Sequence, residues 1–194
     1  MKKMVLVLTL AVFALCGSSF AQDPNYFNNI GIYLDESADA FCAETLAPGN
    51  YPAYLVLTKV DPGFVTGFEC KITLEGSGFM VGFAARGNHI DAATKPGEHI
   101  VGIADPGLPV VDGKCVVADM TVIIADANPT ALFIDGVFFS SLSGQVPAIL
   151  SNGELIEAHP SLGTSSDPVL ILNSPCEAVA VEDAAWGSVK SLYR

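Results

Sequence analysis

The sequence predicts an all-β protein, a β-sandwich with one short helix at its C-terminus. Three observations carry this. Apolar and polar residues alternate at period two in segment after segment. Strong turn signals separate those segments: Asp61-Pro62-Gly63, Asp105-Pro106-Gly107, Asp112-Gly113 and Asn152-Gly153. No amphipathic helical pattern lies between them, which argues against a parallel α/β arrangement.

The chain opens with the three parts of a secretory signal peptide. Lys2 and Lys3 form a positive start, Met4 to Leu15 an apolar run, and Ser19-Phe20-Ala21 a small-residue site that places cleavage before Gln22. The apolar run is too short for a membrane-spanning helix, which needs ~20 such residues. Cys16 leaves a lipoprotein open as the alternative, against which Leu15 stands where a small residue belongs. The expected organisation is a signal peptide over 1–21, a sandwich domain over 22–180 and a tail over 181–194.

Cleavage at that point takes 9 basic residues to 7 against 21 acidic ones, a formal charge of −14 for the mature chain. So few cations cannot form a phosphate-binding stripe, so a nucleic-acid partner is not expected. Acidity of this kind serves solubility and disfavours anionic lipid. Four cysteines remain, Cys42, Cys70, Cys115 and Cys176. An even count behind an export signal predicts two disulfides, with three pairings open. Chain order favours Cys42 with Cys70 and Cys115 with Cys176. A zinc or redox role would need a Cys-x-x-Cys spacing that is missing.

Along the body, Ile30 to Leu34 reads as a first strand and Asp35 to Cys42 as room for one helical turn. Gly49 and Pro52 argue against anything longer. Ala53 to Val60 is a largely buried strand. The clearest strand follows: Phe68, Cys70, Ile72 and Leu74 share one face, and Glu69, Lys71 and Thr73 the other. Gly76-Ser77-Gly78 ends it, and Phe79 to Ala85 is expected to continue the same sheet. Arg86 to Gly97 is a loop and Glu98 to Ala104 a strand. Val110-Val111 and Cys115 to Ala125 flank one tight turn, and Ala131 to Phe139 is a strongly apolar strand. Ala148 to Ser151 and Glu154 to Glu157 flank a second tight turn, and Val169 to Leu172 closes the series.

The tail carries Trp186, Val189, Lys190 and Tyr193 at helical spacing behind Glu182 and Asp183. A helix so short needs a surface to bury its apolar side. It is read as a docking or targeting element, or as a helix packed on its own domain.

Two resemblances rest on particular segments. Val181 to Arg194, with its Trp-Gly-x-x-Lys-x-Leu-Tyr-Arg ending, resembles the tail of a group of small secreted bacterial proteins, and the likeness extends to Ile32 to Glu36 and Gly67 to Cys70. That group implies an exported address and carries no established activity. Val65 to Ile72, within Tyr54 to Gly136, resembles a cohesin or carbohydrate-binding β-sandwich. This implies a cohesin-like or immunoglobulin-like fold and does not license a function.

Chemical motifs are sparse. His89, His99 and His159 are far apart and lack helical His-x-x-x-His spacing, so no metal site is expected. Ser77 lacks the context of a nucleophile elbow, and no phosphate or dinucleotide loop occurs, so no cofactor is expected. Asp35, Glu36 and Asp39 lack the spacing of a calcium loop. Among the aromatics, Tyr51 and Phe64 are the candidate ligand-binding pair, able to stack on a sugar or anchor a protein if exposed together. The expected function is non-enzymatic: a secreted protein for binding, adhesion or surface display, with a glycan or cell-surface protein as partner. The alternatives are an exported glycan-acting hydrolase working through paired carboxylates, and a subunit of a cell-surface assembly.

Overall fold

The computed structural model describes residues 27–176. The signal peptide, Cys16 and the tail with Trp186, Val189, Lys190 and Tyr193 lie outside the described residues. Those described form strands and no helix. In chain order the strands are β1 (Asn29–Tyr33), β2 (Cys42–Ala43), β3 (Gly49–Thr58), β4 (Phe64–Gly76), β5 (Phe79–Ala85), β6 (His89–Asp91) and β7 (Glu98–Ile103). Then come β8 (Leu108–Pro109), β9 (Lys114–Ile124), β10 (Thr130–Asp135), β11 (Ala148–Ser151), β12 (Glu154–Glu157), β13 (His159–Pro160) and β14 (Leu170–Leu172).

Two mixed sheets face each other as a β-sandwich. The first has the order β13-β1-β3-β9-β5. In the second, β11 (with β12 beyond it) and β10 (with β14 and then β2 beyond it) pair one after the other along one edge of β4, while β7 and β8 pair with its other edge and β6 lies beyond β7. Between them lie Ile30, Ile32, Leu55, Leu57 and Val117 from the first sheet and Phe68, Cys70, Ile72, Leu132 and Leu170 from the second. The expected inner face of β4 is therefore the observed one. Beneath the first sheet a smaller cluster of Tyr33, Ala38 and Val56 is covered by the segment after β1. That segment is a turn rather than a helix: Asp35 Oδ1 accepts hydrogen bonds from the Asp39 and Ala40 amides at 3.0 Å each. A carboxylate that satisfies local amides stabilises a turn in place of helix.

Both tight turns form as the sequence predicts. Asp112 and Gly113 have φ of 51° and 72°, and Asn152 and Gly153 have 52° and 82°, the left-handed pairs that a two-residue hairpin requires. Pro52 is accommodated because β1 pairs with β3 only from Tyr54 to Thr58, leaving that edge open at position 52.

Four expectations are corrected. Arg86 to Gly97, expected as a loop, carries the short strand β6, which pairs with β7. Phe79 to Ala85 does not continue the sheet of β4; after Gly76-Ser77-Gly78 the chain crosses to the opposite sheet and pairs with β9. The strand read as Ala131 to Phe139 ends at Asp135, and residues 136–147 form an excursion. The cysteine pairing also differs. Cys42 bonds to Cys176, with Cα atoms 5.8 Å apart, while Cys70 and Cys115 are free and buried. Cys42 cannot reach Cys70, because β10 and β14 separate β2 from β4. Three strand spacings come to about 14 Å, beyond the ~7 Å limit for a bridge.

Burial, with the nearby charges of Asp91 and Glu69, raises the Cys70 thiol well above its ordinary range. Burial likewise pushes Cys115 up to about 11. Both are protonated at neutral pH and lack the thiolate that reacts. Native protein is therefore expected to resist maleimide labelling at both positions, and to take up two labels per mature chain on denaturation without reductant. Labelling of the folded protein, or none after denaturation, would contradict this.

Candidate functional site

The two aromatic residues singled out from sequence are not brought together. Phe64 opens β4 beside Pro109 and is 44% exposed. Tyr51 lies near the start of β3, opposite Val122, packed against the core with its hydroxyl donating to the Ala47 carbonyl at 2.8 Å. Seven strand steps from Tyr51 to Thr58, at the end near Phe64, put about 23 Å between them. They sit at opposite ends of the sandwich and cannot share a ligand.

The histidines do not converge either, and among the described residues no three potential metal ligands cluster. His99 points inward from β7, stacked on Phe83 of β5 with ring centroids 3.5 Å apart. Its Nδ1 lies 3.0 Å from Asp91 Oδ2. Burial raises the Asp91 carboxyl, but the Ala93 amide, His99 and the Ile100 amide outweigh it and hold Asp91 below the usual carboxylate range. This cluster pins the margins of the two sheets together. His89 Nδ1 sits 3.0 Å from the Gly87 carbonyl oxygen, and His159 lies on the far edge strand β13. Of the acidic triplet, Asp35 serves its turn and Glu36 meets Arg86, which also contacts Asp119.

An apolar concavity lies elsewhere, on the outer face of the second sheet. Along β4 that face is made by Gly67, Glu69 and Lys71, and along β7 by their cross-strand partners Gly102, Ile100 and Glu98. Beside Gly67 and Glu69 lie Leu150 and Ala148 of β11, and beyond Leu150 comes Leu155 of β12. On the other side, Ile90 of β6 stands opposite Gly102. The two glycines lower the floor, while Ile90, Ile100, Leu150 and Leu155 form walls. The result is an apolar trough of about 580 Å³, open to solvent.

One end of the trough is closed by the excursion between β10 and β11. Both strands pair with the same edge of β4, one after the other. The chain between them crosses the outer face of β4 and reaches β7. Glu98 Oε1 accepts the Phe138 amide at 3.0 Å. Glu69 accepts the Ser141 amide and the hydroxyls of Ser140 and Ser141 at 2.8–3.0 Å. Both carboxylates are buried, and such groups are stable only with bonded partners. The excursion closes on itself where Gly136 meets Gln145, as compact surface loops do. It displays Phe138 and Phe139, 55% and 69% exposed, with their rings edge to face at 4.8 Å.

Sequence reasoning missed this site. From the sequence, Gly102 reads as one residue of a strand, and Val137, Phe138 and Phe139 as the end of another. The Asp135-Gly136 pair and the Ser-Ser-Leu-Ser-Gly run at 140–144 were the available signals for the loop.

No protein-family model matches the chain, and no curated protein is similar to it. Among solved structures, the chain is similar to the sixth cohesin from Acetivibrio cellulolyticus scaffoldin B, crystallised with a Cel5 dockerin. The TM-score is 0.45 at 13% identity, covering 77% of this chain and 100% of that one. It is similar at the same TM-score and identity to a chain of the CaDoc0917–CaCohA2 complex, covering 69% of this chain and 94% of that one.

Proposed function

We propose that this is a non-enzymatic, exported binding protein whose outer face on the second sheet receives the apolar surface of a different protein. The observation that carries it is Gly102. A side chain built there would meet nothing within 4 Å, so packing does not require glycine. Gly67 differs, since a Cβ there would lie 2.8 Å from the Val101 carbonyl oxygen. Glycine inside a strand weakens it, and often marks a place where a ligand or another backbone approaches closely. Gly102 keeps the trough open at a cost to the strand.

The trough's shape favours a protein over a small molecule. Small-ligand pockets enclose most of their guest, and a trough open along its length does not. A protein lying over it covers guest and walls alike. Charge disfavours a second copy, since the chain carries −12 formal charges and repels its own kind. Export is supported by the leader pattern of residues 1–21 and by the Cys42–Cys176 bond, which persists in oxidising compartments.

The test is photo-crosslinking in the producing cells. A photoreactive residue at exposed Leu155 is expected to give one adduct with a different protein. The same group at Val111, exposed away from the trough, is expected to give none. Gly102→Leu should fold normally, fill the floor and abolish the adduct. Absence of adduct, adducts of twice the chain's own mass alone, or an adduct unchanged by Gly102→Leu would each overturn the proposal.

A further inference from the structure

Beyond the trough, on the other side of the crossing loop, lies a second hollow of about 390 Å³ on the same sheet face. Its walls combine an aromatic ring with hydrogen-bonding groups of both signs: Phe138, Lys71, Lys95, Glu98, Asp135 and Gln145. We propose that this hollow is a carbohydrate subsite that takes a neutral pyranose ring, independent of any partner in the trough.

Charge balance comes first. In a chain of net charge −12, this hollow holds two ammonium groups and two carboxylates and is formally neutral. Lys71 stands between Asp135 and Glu98, its direct cross-strand neighbours on either side. A charged ligand gains little from such a set. Vicinal hydroxyls gain more, because each can donate to a carboxylate and accept from an ammonium or amide. Asp135 Oδ1 accepts the Gly136 amide and Glu98 Oε1 the Phe138 amide. The second oxygen of each has no further hydrogen bond among the described residues.

The aromatic part comes next. Phe138 is exposed, yet its backbone is held from two sides, by its amide donating to Glu98 Oε1 at 3.0 Å and by Gln145 Nε2 donating to its carbonyl at 3.2 Å. An aromatic side chain carried on a pinned backbone binds with less ordering cost than one on a free loop. The Lys95 ammonium lies over its face, 3.1 Å from the centroid. That contact shows the ring accepts polarised positive hydrogens, which is what the axial C–H face of a pyranose offers. Lys95, on a flexible stem, can swing to a ring hydroxyl while the sugar takes its place.

The experiment is a titration of the folded protein with neutral tetrasaccharides of glucan, mannan and galactan type, and a uronate tetrasaccharide for comparison, followed by NMR. At least one neutral sugar is expected to shift the Phe138, Phe139 and Lys71 signals with a Kd on the order of 1 mM. Phe138→Ala with Phe139→Ala should weaken that binding about tenfold or more. Both side chains are exposed, so the fold is expected to survive, and the spectrum reports whether it does. Asp135→Asn, which keeps the acceptor for Gly136, should weaken it by a smaller factor. Gly102→Leu should leave it unchanged, which separates this hollow from the trough. Binding of none of the neutral sugars, binding of the uronate alone, or affinity indifferent to the double phenylalanine variant would overturn the proposal.

Discussion

Replacing Gly136 by alanine is expected to destabilise the protein by about 3 kcal/mol or more, at the upper end of what overpacking costs. A Cβ at this position would overlap the Gln145 carbonyl group and lie 2.6 Å from the Val146 nitrogen. Those obstacles are backbone, so no side-chain rotation relieves them. The loop must open, and opening it withdraws Ser140, Ser141 and the Phe138 amide from Glu69 and Glu98. Each buried carboxylate then loses hydrogen bonds, at roughly 1–3 kcal/mol per group left unsatisfied. Urea unfolding measures the loss, and amide exchange over residues 138–146 shows whether it starts in the loop. Gly153→Ala is the contrast. Its φ of 82° strains an alanine, but nothing stands within 4 Å, so the cost should stay near 1–2 kcal/mol. Equal effects at the two positions would refute the role given to the crossing loop.

Breaking the Cys42–Cys176 bond is the second large expected effect. The bond spans 134 residues, and chain entropy for such a loop gives about 5 kcal/mol, with ~2–4 more usual in practice. The paired Cys42→Ser, Cys176→Ser variant should lose stability within that range while keeping its fold, since the bond lies at one margin of the second sheet. Added reductant should produce the same loss in the natural protein and none in the variant. A variant as stable as the parent would show that the bond constrains little. Reductant acting equally on both would point to chemistry at Cys70 or Cys115.

Local pattern made much of the fold legible. The inward set Phe68, Cys70, Ile72 and Leu74 follows from period two alone, and both hairpins follow from residues that tolerate left-handed φ. Partners did not follow. Alternation fixes which way a strand's side chains point and leaves open which strand lies beside it. The crossing to the other sheet at Gly76-Ser77-Gly78 therefore reads, from pattern alone, as a simple continuation. The disulfide failed for the same reason: chain order is a poor guide when β10 and β14 stand between β2 and β4. Both hollows were illegible because Gly67 and Gly102, or Lys71, Asp135 and Glu98, become neighbours only through long-range register. Phe138 and Phe139 misled in another way, since an apolar run reads alike whether it is buried in a strand or displayed on a loop.

The placement of the Cys42–Cys176 bond also decides how the domain bears tension. Asn28 enters beside Lys59 at one pole of the sandwich, while Cys176 leaves beside Glu44 at the other. A pull applied through both flanks passes from Cys176 directly to Cys42, bypassing everything between them. Only residues 27–42 carry the load, and within them β1 resists in shear through its five register pairs with β3 and its two with β13. Once β1 slides free, the oxidised chain can lengthen by at most about 50 Å, against about 500 Å if the described residues were reduced and fully drawn out. Stretched while oxidised, the domain would shed one strand and stop, with β4 and the face it carries still folded.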